Sequence, residues 1–321
     1  MKINVVSYLN PYKYLGGGEM VSRSLIEFGK QRGHSFTFTS ARDRNRQYDD
    51  DADFDLLIDI FNYPETLKSR GAWIQLDPSF VRQIVLNRPF VHMTNAYADV
   101  CNLGYLPCSG NQSDTCVHKS PLNITRNVAA RDFSKQCFSL NPLVRQTYLN
   151  SLANIYVSPL HQKISAGVLG IDDADKAIVA RPIIETDNFY NRGLERDIEN
   201  LFVGVISEAK GFYEMRDRFA GQEIVLVGAV HPGVKVDFGT HLGKLPYDKI
   251  PELMNRAKNF VFLPRWPEPQ GRVVVEAALS GCKLVVNENV GATSFPFDIA
   301  NPENMKDSKR IFWEELEAAV E

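Results

Sequence analysis

The sequence predicts an α/β protein made of two Rossmann-like domains that face each other across a cleft. Its 321 residues are too many for one compact core and suit two domains of ordinary size. A hydrophobic content of 44% and a charged content of 23% are typical of a globular protein rather than a disordered chain. Strand-like apolar runs alternate with helical patterns in two separate sets, which indicates two parallel sheets covered by helices.

The first set of elements predicts a domain over residues 1–182. The apolar run "INVVSYL" predicts the first strand, and the glycine-led segment after it predicts a helix with Met20, Ser24, Leu25 and Phe28 on one face. Further strands are predicted at "SFTFTS", "FDLLIDIF", "AWIQLD" and "PFVHMT". In a parallel sheet of this kind, ligands bind at the carboxyl ends of the strands.

The second set of elements predicts a domain over residues 183–307. Its strand patterns are "LFVGVI", "EIVLVG", "VKVDFG", "NFVFLP" and "KLVVNE". Helices are expected over 212–219, after Pro246 and from about Gly271. This order of elements is a complete second α/β unit.

Two further segments join or extend the predicted domains. The polar, turn-rich segment "ARPIIETDNFYNRGLERD" predicts the interdomain linker. The last segment, 308–321, is amphipathic, with Ile311, Phe312 and Leu316 on one side. We expect it to be a helix that packs back onto the first domain.

The charge and hydropathy of the chain argue against several classes of partner. A net charge of -3 gives no overall positive field for nucleic acid, and the basic "RDRNR" is soon followed by the acidic "DDDADFD", a pattern typical of a solvated loop. No window approaches the ~18 uninterrupted apolar residues of a membrane span, and the first residues lack the apolar segment of a signal peptide. We therefore expect a cytoplasmic protein with no nucleic-acid partner and no transmembrane segment, and peripheral membrane contact stays open.

Two strand-to-helix turns carry residues that suit a bound anion. Gly16, Gly17 and Gly18 lie where the first predicted strand leads into the first helix, and successive glycines let backbone N–H groups approach a phosphate or sugar. A flexible turn without a ligand is the alternative. Lys210 precedes the helix predicted over 212–219, an end that disfavours cations, so an anion bound beside its ammonium group explains it better. A solvated lysine is the alternative there.

The stretch "PRWPEPQGRVVVEAALSG" carries Glu268 before a predicted helix and Glu276 inside it. Pro269 and Gly271 predict a rigid turn after which the first N–H groups of the helix can bind phosphate. A phosphate repels carboxylates, so we expect Glu268 to accept hydrogen bonds from a sugar ring and Glu276 from a ribose. This arrangement predicts a nucleotide-linked sugar. The alternatives are an electrostatic helix cap at Glu268 and a surface acid at Glu276.

Taken in order, these segments resemble the retaining glycosyltransferases of the GT-B fold, in the group often called family four. The resemblance covers nearly the whole chain and is carried by "GGGEMVSRSLIEFGKQRGH", "VGVISEAKG", "LGKLPYDKIPELMNRAKNFVFLP" and the Glu-x7-Glu element of "EPQGRVVVEAALSGCKLVVNENVGA". It implies transfer of a hexose from a UDP- or GDP-linked donor to an acceptor hydroxyl, with retention at the anomeric carbon, in polysaccharide or glycoconjugate synthesis. The implied acceptor is a glycan, a lipid-linked molecule or a protein, and the implied catalysis requires no cofactor and no divalent metal.

The resemblance also implies roles for single residues. Lys210 and Glu268 are the implied catalytic residues, because Lys210 would neutralise the departing diphosphate while Glu268 holds hydroxyls of the donor sugar. The implied donor-binding residues are Gly17, Gly18, Lys210, Glu268, Pro269, Gln270, Gly271, Arg272 and Glu276. Many relatives also carry a histidine beside the acceptor, for which His92, Asn95 and Tyr97 are the candidates here. His92 lies in an apolar run, so a packed core histidine is an equally good interpretation.

One departure from the family pattern leaves a second function open. Val205 stands where the family usually has an arginine, so one of two phosphate cations is missing or is supplied by Arg265 or Arg272. The alternative function is a non-catalytic or altered nucleotide-sugar-binding protein on the same fold. A nucleotide-sugar epimerase with two Rossmann-like domains is disfavoured, since it would lack the Glu-x7-Glu element.

Four cysteines lie close together in the first predicted domain. Cys101, Cys108, Cys116 and Cys137 are separated by 6, 7 and 20 residues, with His118 beside the third. The spacing lacks the Cys-x2-Cys knuckle of a zinc ribbon. Structural zinc, reduced thiols and a disulfide all stay open.

Overall fold

The computed structural model describes residues 1–13, 16–40, 47–61, 78–101, 139 and 141–321. These residues form two compact units. The first unit takes the described residues up to Ile183 together with the terminal segment Asp307–Glu321, and the second takes Ile184–Lys306. Among the described residues, no helix combines the length and apolarity needed to cross a bilayer.

The first unit is built on a six-stranded parallel sheet in the order β2-β1-β3-β4-β5-β6. The strands are β1 (Lys2–Ser7), β2 (Ser35–Ser40), β3 (Phe54–Ile58), β4 (Phe90–Met93), β5 (Asn154–Tyr156) and β6 (Ala177–Val179). Every residue of β3, β4 and β5 is buried, as expected for parallel strands covered on both faces. The predicted strand "AWIQLD" lies outside the described residues.

The first unit also contains three helices that the sequence analysis did not predict. The helices of this unit, taken up to β6, are α1 (Gly17–Gln31), α2 (Pro78–Asn87), α3 (Pro142–Asn150) and α4 (Pro159–Leu169). Helix α1 lies where it was predicted, but its buried face is shifted by about one residue from the predicted one. Its buried residues are Val21, Ser22, Leu25, Ile26 and Gly29, whereas Met20, Ser24 and Phe28 are only partly buried.

The second unit is built on a five-stranded parallel sheet in the order β11-β10-β7-β8-β9. The strands are β7 (Ile198–Val203), β8 (Val225–Val227), β9 (Thr240–His241), β10 (Ala257–Phe262) and β11 (Lys283–Val286), and the helices are α5 (Phe212–Arg218), α6 (Ile250–Arg256) and α7 (Arg272–Leu279). The predicted strand "VKVDFG" is wrong. Pairing with the short β8 begins only at Thr240, opposite Val225, and residues 234–239 pair with no strand in the part of the chain that the structure describes.

The polar segment predicted as a linker is anchored to the second unit over much of its length. Phe189 is completely buried in the hydrophobic core of that unit. The backbone N–H of Arg192 donates a 2.6 Å hydrogen bond to Asn255, and the Arg196 guanidinium donates to the carbonyls of Ala257 and Ser280. The segment is loop-like in sequence because it is held by one aromatic side chain and by hydrogen bonds to distant residues rather than by a periodic apolar pattern.

The terminal helix α8 (Ser308–Val320) packs in the core of the first unit. Phe312, Trp313 and Leu316 are buried, and the Trp313 indole N–H donates a 2.9 Å hydrogen bond to the Leu25 carbonyl of α1. Ile311, which was predicted on the packed face, is only partly buried, and Trp313 is buried there instead.

Candidate functional site

The carboxyl ends of β7 and β10 approach each other closely enough to require a glycine. Gly211 caps the start of α5 with φ at +82°, and a Cβ atom there would lie 1.8 Å from the Leu263 carbonyl oxygen. No other residue type fits at that distance. This contact fixes Lys210, the preceding residue, beside the loop that follows β10.

The Lys210 ammonium group contacts one carboxylate and two aromatic rings, those of Phe262 and Trp266. Its Nζ forms an ion pair with Glu268 Oε2, and it lies 4.9 Å from the centre of the Trp266 ring. Both charged side chains are mostly shielded, with 23% of the lysine and 13% of the glutamate side chain exposed. The structure therefore brings together the two side chains to which the resemblance gives catalytic roles.

The loop that carries Glu268 is held rigidly by the segment after β11. The Glu268 N–H donates to the Asn289 carbonyl at 2.7 Å, and the Glu268 carbonyl accepts from Gly291 at 3.0 Å. The side-chain amides of Asn287 and Asn289 both donate to the Pro264 carbonyl at 2.9 Å. These hydrogen bonds confirm the predicted turn and show that its stiffness comes from a neighbouring loop as well as from its prolines.

Helix α7 begins immediately after this loop, as the sequence predicted. Gly271 is its N-cap, no described side chain caps it, and no acidic residue lies in its first turn. The first N–H groups of a helix lack partners within the helix and carry partial positive charge, so this end suits an anion. Gln270 is 7% exposed, and its carbonyl accepts a hydrogen bond from Ala292 at 2.6 Å.

Glu276 lies one turn into α7 and is buried, which excludes the surface-acid interpretation. Its side chain is almost inaccessible, and its Oε1 atom accepts a 2.7 Å hydrogen bond from the Tyr247 hydroxyl and a 3.4 Å contact from Arg272. Burial raises the pKa of the Glu276 carboxyl, and the nearby guanidinium opposes that shift. The sequence analysis missed Tyr247, because its 29-residue separation from Glu276 gives no local signal.

Of the two arginines proposed to replace the usual phosphate-binding arginine, Arg265 already pairs with two carboxylates and Arg272 does not. Val205 is 47% exposed and offers no charge. The Arg265 guanidinium pairs with Glu208 at 2.6 Å and with Glu214 at 3.0 Å. Arg272, in the first turn of α7, lies nearer the expected anion position and contacts Glu276 only at 3.4 Å. Arg272 is therefore the better candidate for a second phosphate cation.

The candidate residues of the first unit lie around the start of α1. Gly17 and Gly18 are the first two residues of that helix, and Gly18 packs closely enough that a Cβ atom would lie 2.9 Å from the Asn95 Cβ. A Cβ atom on Gly17 would meet nothing within 4 Å. A pocket with about 280 Å³ of empty space, partly open to solvent, is lined by Tyr8, Leu9, Pro11, Glu19, Ser22, Ile58, Asp59 and Asn95.

Asp59 is a functional candidate that the sequence analysis missed. Its backbone adopts a left-handed conformation with φ at +48°, and both its carboxylate oxygens accept 2.8 Å hydrogen bonds from Asn95. Burial, and then the charge of Asp99, raise the pKa of Asp59 to about 7. Strained backbone and a perturbed pKa in a pocket are features of functional sites.

Of the three predicted acceptor-side residues, only Asn95 lines this pocket. His92 and Tyr97 are completely buried in this structure, and their place beside an acceptor stays a prediction. The Nε2 atom of His92 lies 2.9 Å from Asp99, and its ring packs edge-on against Tyr148. His92 is thus the packed core histidine that was its alternative interpretation.

The cysteine cluster lies mostly outside the described residues. Cys101 is buried, whereas Cys108, Cys116 and Cys137 are not described. Within the described ranges, no group of three or more potential metal ligands is brought together. Cys282, between α7 and β11, is a buried thiol that donates to the Met254 carbonyl, and burial raises its pKa to about 11.

No protein-family model and no curated protein matches this sequence. Solved structures nevertheless match it along almost its whole length. A sucrose-phosphate synthase from Thermosynechococcus elongatus has a TM-score of 0.60 at 14% identity, over 99% of this chain and 94% of that one. HepE from Anabaena, solved in complex with UDP and glucose, has a TM-score of 0.53 at 15% identity, over 99% and 94% of the two chains. At such identities the likeness shows the fold, and the chain has the α/β fold with two parallel sheets of the GT-B glycosyltransferases.

Proposed function

We propose that this protein is a retaining glycosyltransferase that moves a hexose from a nucleotide-sugar donor to an acceptor hydroxyl. One arrangement in the second unit carries the proposal. Lys210 and Glu268 form a shielded ion pair beside the uncapped start of α7, and Glu276 is buried one turn inside the same helix. A cation, free helix N–H groups and two hydroxyl-accepting carboxylates match the diphosphate, sugar and ribose of such a donor.

The reaction is driven by position and charge. The bond between the anomeric carbon and the phosphate oxygen breaks, and the acceptor oxygen forms its new bond on the same face of the sugar. The acceptor proton passes to the departing phosphate oxygen, so no protein nucleophile is required. Lys210 and the first N–H groups of α7 stabilise the negative charge that develops on the diphosphate. Glu268 accepts hydrogen bonds from the sugar hydroxyls and fixes the ring.

The proposed donor rests on the same residues and on a structure with this fold. HepE was solved with UDP and glucose, which supports a UDP-linked donor, and a GDP-linked donor is the second choice. We include Pro269, Gln270, Gly271 and Arg272, at the start of α7, in the proposed donor-binding set, to which the resemblance also assigns Gly17 and Gly18. The acceptor is a glycan, a lipid-linked molecule or a protein in cytoplasmic glycan synthesis, and catalysis needs no divalent metal.

Ligand-dependent thermal stabilisation followed by a transfer assay tests this function. A nucleoside diphosphate present at 100 times its Kd should stabilise the protein by about 2.7 kcal/mol. Glu276→Gln should remove most of that stabilisation, whereas Glu252→Gln, an exposed acid in α6, should leave it unchanged. Donor turnover should persist in a chelator. Absence of binding across UDP, GDP and their sugars would refute the proposal.

The second candidate function is a nucleotide-sugar-binding protein without turnover. It is favoured by one observation: Val205 replaces a phosphate-binding arginine, and Arg265 is committed to Glu208 and Glu214. Donor binding without hydrolysis or transfer, over a broad set of donors and acceptors, would support this candidate. Restoration of turnover by Val205→Arg would identify the missing cation as its cause.

A further inference from the structure

The Glu276 carboxylate has one oxygen satisfied and one open. Its Oε1 atom accepts from the Tyr247 hydroxyl at 2.7 Å and lies 3.4 Å from Arg272. Its Oε2 atom receives no hydrogen bond from any described residue, although the side chain is only 5% exposed. Oε2 is not among the fully buried polar atoms that lack a partner, so water can reach it and a ligand hydroxyl can replace that water. The open oxygen therefore marks a place where hydroxyl groups bind.

Tyr247 is poorly anchored compared with the acid that it contacts. The residue is 43% exposed and lies in a short 3₁₀ turn, Tyr247–Lys249, in which no residue is buried. Its ring contacts the Phe189 ring at 5.6 Å, and its hydroxyl bonds only to Glu276 and Arg272 among the described residues. Rotation of this side chain away from Glu276 would therefore break few contacts.

We propose that Tyr247 takes the place of a ribose hydroxyl on Glu276 and is displaced when a nucleotide binds. This inference rests on the proposed function, since it assumes that Glu276 binds the ribose. A ribose presents two adjacent hydroxyl groups, which can bind one to each oxygen of a carboxylate, and each of these oxygens has two acceptor sites. Oε2 is open to one hydroxyl, but the two acceptor sites of Oε1 are taken by the Tyr247 hydroxyl and the Arg272 guanidinium. The ribose must therefore exchange its own O–H for that of Tyr247.

The exchange makes Tyr247 a residue that sets nucleotide affinity. In the unliganded protein its hydroxyl offsets part of the desolvation of Glu276, and that stabilisation is lost on binding. Phenylalanine at this position keeps the ring but leaves Oε1 without its best donor. The free protein is then less stable relative to the complex, so the nucleotide should bind more tightly.

Calorimetric titration of Tyr247→Phe tests this directly. The titrant is UDP or GDP, whichever binds wild type more tightly, and the variant should bind it about tenfold more tightly, as expected for removing one competing hydrogen bond to a charged group. Tyr190→Phe is the matched control, because Tyr190 is 50% exposed in the same unit and its hydroxyl makes no contact with Glu276. The control should bind as wild type does.

Two further titrations distinguish competition from a general change in the site. The gain in Tyr247→Phe should largely disappear for the 2′,3′-dideoxy form of the same nucleotide, which has no hydroxyl to exchange. It should also disappear in the background of Glu276→Gln, because the two changes act through one hydrogen bond. Unchanged or weaker binding by Tyr247→Phe, with normal binding by wild type, would overturn this inference alone. Failure of wild type to bind either nucleotide would overturn the proposed function as well.

Discussion

Replacing Gly211 with alanine should destabilise the second unit far more than the same change at Gly221. Both glycines have positive φ, +82° and +76°, so both substitutions carry the conformational cost of that region, about 1–2 kcal/mol. Only Gly211 faces a neighbour: its added Cβ would lie 1.8 Å from the Leu263 carbonyl oxygen, whereas nothing lies within 4 Å of the Cβ at Gly221. The comparison therefore isolates the close contact between the loops after β7 and β10.

The size of the difference follows from that contact. Ordinary van der Waals contact begins near 3.4 Å, so the two backbone segments must separate by well over an ångström. Overpacking of this kind costs a further ~1–3 kcal/mol, which brings Gly211→Ala to about 2–5 kcal/mol against about 1–2 kcal/mol for Gly221→Ala. The same movement should displace Lys210 from Glu268 and weaken nucleotide binding only in Gly211→Ala.

Hydrogen exchange of the β7 and β10 amides measures this effect within the second unit itself. Opening free energies of these strands should fall in both variants, and the fall should be larger in Gly211→Ala. Equal losses in the two variants would refute the reasoning, because the loops would then relax without cost. Equal nucleotide affinity would refute the link between the loop contact and the site.

Three other predictions concern single side chains in the two units. Lys210→Met should lower kcat about 10²- to 10³-fold, as for loss of one preorganised group that stabilises developing charge, whereas Lys235→Met, at an exposed position, should match wild type in a turnover assay. The pKa of Asp59 is raised to about 7 in the folded state, so the folded protein binds one more proton than the unfolded chain does, and its free energy of unfolding should fall as the pH rises from about 4 to 7. In urea titrations over this pH range, Asp59→Asn should reduce that fall by at most about 4 kcal/mol. Equal pH dependence of the unfolding free energy in wild type and variant would contradict the prediction. Trp313→Ala should lower the free energy of unfolding of the first unit by about 3–5 kcal/mol in denaturant titrations, because the indole is buried. A similar decrease in Glu314→Ala, at the exposed neighbouring position, would rule out a specific role for the indole.

The sheets were predictable because parallel strands buried on both faces appear as continuous apolar runs. "FDLLIDIF" contains β3 and "NFVFLP" contains the last four residues of β10 for this reason. The start of α7 was predictable because Gly271 and the prolines before it end the extended chain locally. Missed helix α4 also had local signals: Ser158 caps it through the His161 N–H, Pro159 begins it, and Gly170 ends it in a left-handed conformation.

The remaining features depend on contacts between residues far apart in sequence. "VKVDFG" alternates like a strand but pairs with no described strand, because β8 begins only at Val225, the residue that lies opposite Thr240. Tyr247 and Glu276 meet only after α6 and β10 have folded between them. The positive φ of Asp59 is sustained by two hydrogen bonds from Asn95, 36 residues away. No local pattern encodes such pairs, so neither partner's environment can be predicted from the residues around it.

Backbone contacts explain why the fold and the proposed chemistry can be tested separately. A Cβ atom on Gly228 would lie 1.7 Å from the Gly204 carbonyl oxygen, and one on Gly211 would lie 1.8 Å from that of Leu263. In both cases the partner is a carbonyl, so the identity of the partner side chain matters little and only the glycine is required. Lys210 and Glu268 are the opposite case, because their contact joins two side chains and shortening both of them forces no backbone apart. Since the pair is mostly shielded, removing one partner would leave the other charge unpaired, whereas Lys210→Met together with Glu268→Gln removes both charges. The double substitution should therefore change the unfolding transition far less than it changes transfer, whereas Gly228→Ala should lower stability first and lose function only as a consequence.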